Sequence, residues 1–196
     1  MIAIIDYNSS NIGSVTNALK RLNYEYVVTN NPDEILKADK VILPGVGRAG
    51  QAMKELRNLG LDTVIPKLKV PFLGICLGMQ LMLDSSDEDS VSCLGLIPGT
   101  VKKLPDILRV PQIGWNSIEI NENKIFRNIK KENSFYFVHS FYCDTQSKYA
   151  LAYGKYGIRF PAVIKCNNFY GVQFHPEKSG DDGEKLLTNF LNLKYE

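Results

Sequence analysis

The chain has 196 residues but only two histidines, one tryptophan and four cysteines. Each scarcity narrows what it can do. Cys76, Cys93, Cys143 and Cys166 are dispersed with no Cys-x-x-Cys pair, which fits neither a zinc site nor the disulfide framework of a secreted domain. They read as thiols, at most one of them reactive, and no metal or cofactor is expected. No apolar stretch approaches the ~20 residues of a membrane span. The opening run Met1-Ile2-Ala3-Ile4-Ile5-Asp6 also lacks the charged segment of a signal peptide, so the expected location is the cytoplasm, away from membranes. The 23 basic and 21 acidic residues leave a net charge of +2. No basic block is interleaved with aromatics, which argues against a nucleic-acid partner. Gly45-Val46-Gly47 and Gly74 to Gly78 lack the Lys-Ser/Thr of a phosphate loop, so nucleotide binding is not supported either.

What is present is 44% hydrophobic residues, enough for a single domain over residues 1–196 with a real core. Short β-branched runs alternate with amphipathic segments in the first half, the rhythm of βα units that build a parallel sheet. Strands are expected at 2–5, 26–28, 40–43 and 71–75. Ile12, Val15, Leu19 and Leu22 follow helical spacing behind a cap at Asn11 or Ser14. Pro32 suits the first turn of a short helix, and helical segments fill 50–68 and 77–83. The acidic run Asp84-Ser85-Ser86-Asp87-Glu88-Asp89 reads as a solvated loop. Beyond it come shorter strand candidates at 100–104, 117–120, 134–141, 150–153, 162–165 and 170–174, then a helix over 183–193.

Gly74-Ile75-Cys76-Leu77-Gly78 sits where an apolar strand gives way to a helix. A side chain on such a turn projects out of the sheet, and glycines two residues to either side are required where a Cβ would collide with crowded backbone. The turn also places Cys76 at a helix N-terminus, whose positive dipole end favours thiolate. The other reading is a small buried hydrophobe beside a tight turn.

A thiol nucleophile needs a base, and the choice lies between His139 and His175. His175 follows an apolar strand in Gly171-Val172-Gln173-Phe174-His175-Pro176-Glu177, and extended geometry puts Glu177 on the same face two residues on. Its carboxylate can fix the imidazole tautomer and stabilise the imidazolium. His139 has aromatic or apolar neighbours and no carboxylate within two residues, which suits a structural or pocket histidine.

With Asp6-Tyr7, Pro44-Gly45-Val46-Gly47, Gly114-Trp115-Asn116 and Tyr136-Phe137-Val138-His139-Ser140, these motifs resemble class I glutamine amidotransferases over essentially the whole chain. Gly114-Trp115-Asn116 and Lys178-Ser179 are similar to the glutaminase subunits of imidazole glycerol phosphate synthases. The resemblance implies a three-layer αβα fold, with a mostly parallel central sheet and a smaller antiparallel one. It implies glutamine hydrolysis through a thioester on Cys76, with His175 and Glu177 completing the triad. The oxyanion would be held by backbone amides of Leu77 and of the loop containing Gly45 and Gly47, with Gln80 and Ser140 in the glutamine pocket. It further implies a heterodimer with a (β/α)8-barrel cyclase subunit that uses the ammonia in histidine biosynthesis, Asn11, Trp115 and Lys178 lying at the interface. The chain departs from the family pattern at Gln112-Ile113, where His-Met is usual, at Phe141, where Tyr is common, and at Arg48-Ala49. Two alternatives follow: a paralogue feeding another synthase such as a sugar amidotransferase, and a non-catalytic subunit of the same fold.

Overall fold

Runs of aliphatic residues near the N-terminus are buried on both faces, as strands are when helices cover a parallel sheet on either side. The computed structural model describes residues 1–8 and 12–194; the expected cap at Asn11 lies outside them. The first half comprises β1 (Ile2–Ile5), α1 (Ile12–Arg21), β2 (Tyr26–Thr29), α2 (Pro32–Leu36), β3 (Lys40–Gly45), α3 (Ala49–Asn58), α4 (Leu61–Val64), β4 (Phe72–Cys76) and α5 (Leu77–Gln80). The second half comprises β5 (Ser85–Ser86), β6 (Val91–Ser92), β7 (Gly99–Lys103), β8 (Gln112–Asn116), β9 (Ile118–Ile120), β10 (Phe135–His139) and β11 (Phe141–Thr145). It closes with β12 (Ala150–Tyr156), β13 (Ile158–Cys166), β14 (Phe169–Val172) and α6 (Gly180–Leu191).

Among the described residues the central sheet has eight strands in the order β2-β1-β3-β4-β14-β13-β12-β9. The pairs from β2 to β14 are parallel and those from β14 to β9 antiparallel. Alternation along the strands assigns side chains to two helical layers. Ala3, Ile5, Val41, Leu43 and Phe72 pack with Ile35 of α2, Met53 and Leu56 of α3 and Leu61 of α4. Ile2, Ile4, Ile42, Leu73 and Ile75 pack with Val15 and Leu19 of α1 and with Leu186, Leu187 and Phe190 of α6. The expected three layers are thus present. The smaller part is a four-stranded sheet, β11-β7-β5-β6, and a two-stranded ribbon, β10-β8.

Several expectations are corrected. Ser14 is inside α1 and does not cap it. The 134–141 run is two strands broken at Ser140, whose carbonyl turns aside to accept from Leu104 N at 2.8 Å. The 77–83 segment is a single helical turn that continues as turns with Leu81, Met82 and Leu83 fully buried. The acidic run is not a solvated loop: Ser86 is buried in β5, and the following residues bind the start of α3. Glu88 Oε2 accepts from Ala49 N at 2.8 Å, Asp89 Oδ2 accepts from Gly50 N at 3.1 Å, and the Asp89 carboxylate grips the Arg48 guanidinium. Acidic side chains at a helix N-terminus satisfy orphan N–H groups and complement its dipole. The amides they accept from are 39 residues away in sequence.

Candidate active site

Neighbouring parallel strands carry the site at their carboxyl ends, where open α/β sheets place their ligands. Cys76 is the last residue of β4 and His175 lies three beyond the end of β14, the register pairing Val172 with Ile75. Cys76 adopts φ 54°, ψ −108°, a region that L-residues avoid and that is held only where the surroundings dictate it. The flanking glycines show why the turn closes. A Cβ on Gly78 would lie 2.0 Å from the Leu43 carbonyl oxygen, and one on Gly74 2.6 Å from the Gly78 carbonyl oxygen. The expected elbow is formed.

His175 Nδ1 donates to Glu177 Oε1 at 2.8 Å, both side chains being almost fully buried. The pairing was legible, its geometry was not. β14 ends at Val172, and Pro176–Lys178 is a 3-10 turn, so Glu177 reaches the ring by folding back rather than along an extended face. Ser179 fixes that turn. Its hydroxyl donates to the His175 carbonyl at 2.6 Å and accepts from Tyr136 N at 2.9 Å, while His175 N donates to the Tyr136 carbonyl at 2.9 Å. Burial works against charge on His175. Hydrogen bonds to Cys76 and Glu177, with their negative charge, outweigh it and raise the imidazole to about 10.

His139 behaves in the opposite way. Burial lowers it to about 4, despite a hydrogen bond to a backbone carbonyl that favours the charged ring. Its Nδ1 donates to the Phe141 carbonyl at 2.8 Å and its Nε2 lies 2.9 Å from the Gln112 side-chain amide. The Gln112 atom facing Nε2 is Oε1; a neutral ring that donates from Nδ1 accepts at Nε2, so neutrality of the ring goes with the Gln112 amide turned to present its N–H2 end. His139 is therefore the structural histidine of the pair.

The Pro44–Gly47 segment stands beside Cys76. Gly45 pairs with Cys76 in the β3–β4 register, and a Cβ there would approach Gly78 N and the Tyr7 hydroxyl to 2.7 Å. Tyr7 donates to the Pro44 carbonyl at 2.8 Å. Gly47 has φ 98° at open space, and Leu77 opens α5 with its amide in the first turn, where N–H groups lack intrahelical acceptors. Gln80 is buried, its Nε2 donating to the Phe141 carbonyl at 3.0 Å and to Gln173 Oε1 at 3.1 Å. Ser140 is half-buried at the β10–β11 corner. Lys178 is exposed on the turn after His175.

Sequence reasoning missed Gln173, the structural role of Ser179 and Tyr7, and the Glu88–Asp89 pair. The available signal for Gln173 was its spacing: two residues before His175, it is a polar side chain in an otherwise apolar strand end. On the β8–β10 ribbon Trp115 (58% exposed) lies edge-on to Tyr136, and Ile113 (63%) pairs in register with Val138 (36%), giving an exposed apolar face. Among the described residues no cluster of His, Cys, Asp or Glu is arranged to hold a metal, and no helix is long and apolar enough to cross a membrane.

A strained cysteine at a strand-to-helix turn, a buried His-Glu pair just beyond the end of the adjacent strand and glycine-lined backbone at the same sheet end are the arrangement of a thiol-dependent amidotransferase class. The chain belongs to the class I glutamine amidotransferase family, whose pattern it matches over residues 3–193. Curated relatives include the imidazole glycerol phosphate synthase subunit HisH of Chloroflexus aurantiacus, 45% identical over 97% of this chain and 95% of that protein. Subunit HisH 2 of Legionella pneumophila is 47% identical over 99% and 98%. The HisH subunit of Methanocaldococcus jannaschii is 44% identical over 98% and 100%. Among solved structures, a glutamine amidotransferase superposes with TM-score 0.75 at 18% identity, covering 97% of both chains. A glutamine amidotransferase from Thermotoga maritima does so with TM-score 0.69 at 18% identity, covering 97% of this chain and 95% of that one. These two establish the fold.

Proposed function

We propose that this chain is the glutaminase subunit of an imidazole glycerol phosphate synthase, one catalytic domain that frees ammonia from L-glutamine. The observation that carries this reading is the buried imidazole of His175, held by Glu177 beside the strained Cys76. Cys76 Sγ attacks the side-chain amide carbon, and the oxyanion is received by the Leu77 amide and by backbone of the Gly45–Gly47 segment. One such donor stabilises the transition state by roughly 3 kcal/mol. His175 gives its proton to the leaving nitrogen, ammonia departs, and a thioester to Cys76 remains. His175 then takes a proton from water, whose oxygen attacks the thioester; glutamate leaves and the thiolate returns. Gln80 and Ser140 flank the pocket for the substrate's glutamyl portion.

The ammonia passes to a separate (β/α)8-barrel cyclase subunit in a heterodimer that serves histidine biosynthesis. The exposed face of Ile113, Trp115 and Val138, with Lys178 nearby in sequence to the site, supports a docking role for this side. Asn11 joins that interface by resemblance alone. Four free thiols suit a reducing cytoplasm.

The test is glutamate release from the isolated chain, and then with the cognate barrel protein and its ribonucleotide substrate. Stimulation by that partner is expected. Turnover without any stimulation would assign the ammonia to another synthase, such as one amidating a sugar. No turnover and no trapping of Cys76 by a glutamine-analogue electrophile would leave a non-catalytic subunit.

A further inference from the structure

Cys76 Sγ touches a polar group outside the triad. Gln173 is fully buried, and its Nε2 donates to the sulfur at 3.7 Å. The direction of that bond is forced. Gln173 Oε1 already accepts from Gln80 Nε2 at 3.1 Å, so the amide nitrogen is the end that faces Cys76. Gln80 is fixed in turn, because its second N–H donates to the Phe141 carbonyl at 3.0 Å. The other lone pair of that carbonyl accepts from His139 Nδ1 at 2.8 Å, and His139 Nε2 is held by Gln112 at 2.9 Å. A continuous buried chain therefore runs from the ribbon strand β8 to the nucleophile. From the Phe141 carbonyl to the sulfur each link has one donor direction, so neither Gln80 nor Gln173 can turn its amide without breaking its neighbour's bond.

A second contact of the sulfur carries the contrary influence. The Cys76 thiol donates to the Val138 carbonyl at 3.7 Å, a contact that becomes repulsive when the sulfur is charged. An amide N–H aimed at the same atom offsets it, and a hydrogen bond to a charged group is stronger than one to a neutral group.

We propose that Gln173 is a further catalytic residue, stabilising the Cys76 thiolate through its side-chain N–H, and that Gln80, Phe141, His139 and Gln112 are the positioning groups that aim it. The proposal rests on Cys76 being the nucleophile of the reading above. It extends that site by one donor and reaches as far as the residue, Gln112, at which the chain departs from its family's pattern.

The experiment is alkylation of Cys76 by iodoacetamide as a function of pH, with the site of modification read by mass spectrometry. This needs no glutamine and so is independent of glutaminase turnover. Gln173→Met keeps the volume and removes the donor. The midpoint of the rate profile should move up by about one pH unit, so that the rate falls about tenfold at pH values below the midpoint, while the alkaline plateau does not fall. Gln112→Leu, remote from the sulfur, should move the midpoint the same way by a smaller amount. An unchanged midpoint in folded Gln173→Met overturns the proposal. Should that variant fail to fold, Gln80→Met, which releases Gln173 Oε1, must show the upward shift, and an unchanged midpoint there overturns it equally. A shifted midpoint in a chain that hydrolyses no glutamine would keep Cys76 as a nucleophile stabilised by Gln173 and remove glutamine as its substrate; turnover with no shift would keep the functional reading and overturn this proposal.

Discussion

Glu177 meets His175 around the corner of a 3-10 turn, Oε1 2.8 Å from Nδ1, with both side chains sealed from water. Replacing His175 by Ala removes the proton carrier and should lower kcat by about 10²- to 10⁴-fold. Glu177→Gln keeps a hydrogen-bond acceptor but loses the charge. A smaller loss is expected, with KM nearly unchanged. Steady-state glutamate release measures both, and a Glu177→Gln loss equal to that of His175→Ala would refute the orienting role.

Two histidines make an uncrowded NMR titration. His175 should hold its proton to about pH 10, and Cys76→Ala should bring that value down, because the contacts with Cys76 and Glu177 are what raise it. His139 should remain neutral to about pH 4. The sign of its linkage follows from that depression. Between 6.5 and about 4 the unfolded chain takes up a proton that the folded ring refuses, so this contribution is full above 6.5 and is lost as pH falls, by up to about 3 kcal/mol. Urea unfolding at several pH values reads it, and a His139 that titrates near 6.5 would contradict the neutral assignment.

Cys76 holds a conformation natural only to glycine. Cys76→Ala should abolish glutamine hydrolysis while the fold persists. Cys76→Gly should abolish it too and raise stability by about 1 kcal/mol, the relieved strain exceeding the added chain entropy. Thermal unfolding of the three proteins decides; a less stable glycine variant would mean that the turn stores no strain.

Asp89 ties Arg48 and Gly50 together immediately after the glycine loop. Asp89→Ala should lower kcat a few-fold with little change in KM, because the loop's far end is freed. High salt should reproduce part of that loss in the wild type, since the pair is exposed and screened. Equal salt response in wild type and variant would exclude the tie.

Trp115 and Ile113 stand more than half exposed on β8. Trp115→Ala should leave the melting temperature of the isolated chain nearly unchanged and should weaken barrel binding by tenfold or more, as loss of an aromatic anchor does. Calorimetric titration measures it, and unaltered affinity would place the interface elsewhere.

The N-terminal strands were legible because Ile2–Ile5 and Phe72–Cys76 are apolar without interruption, the mark of burial on both faces. β8 was not. In Gln112-Ile113-Gly114-Trp115-Asn116 a glutamine points inward and the isoleucine and tryptophan outward, the reverse of what polarity suggests. The acidic run failed for a different reason: Glu88 and Asp89 are satisfied by amides 39 residues earlier, and local composition carries no record of a distant helix end. Cys76, His175 and Glu177 could be found because each sits in a short motif. Gln173 shares the motif of His175, but its role was not legible, since its side-chain partners, Cys76 and Gln80, arrive from the turn after β4 nearly a hundred residues earlier.

Val138 faces two ways. Its side chain is on the outer face of the ribbon opposite Ile113, and its carbonyl lies 3.7 Å from the Cys76 sulfur. Between the outer face of the ribbon and the Cys76 sulfur there is thus the thickness of one amino acid. The residue that solvent meets on the outer face of the ribbon is therefore the same one whose carbonyl accepts from the Cys76 thiol inside.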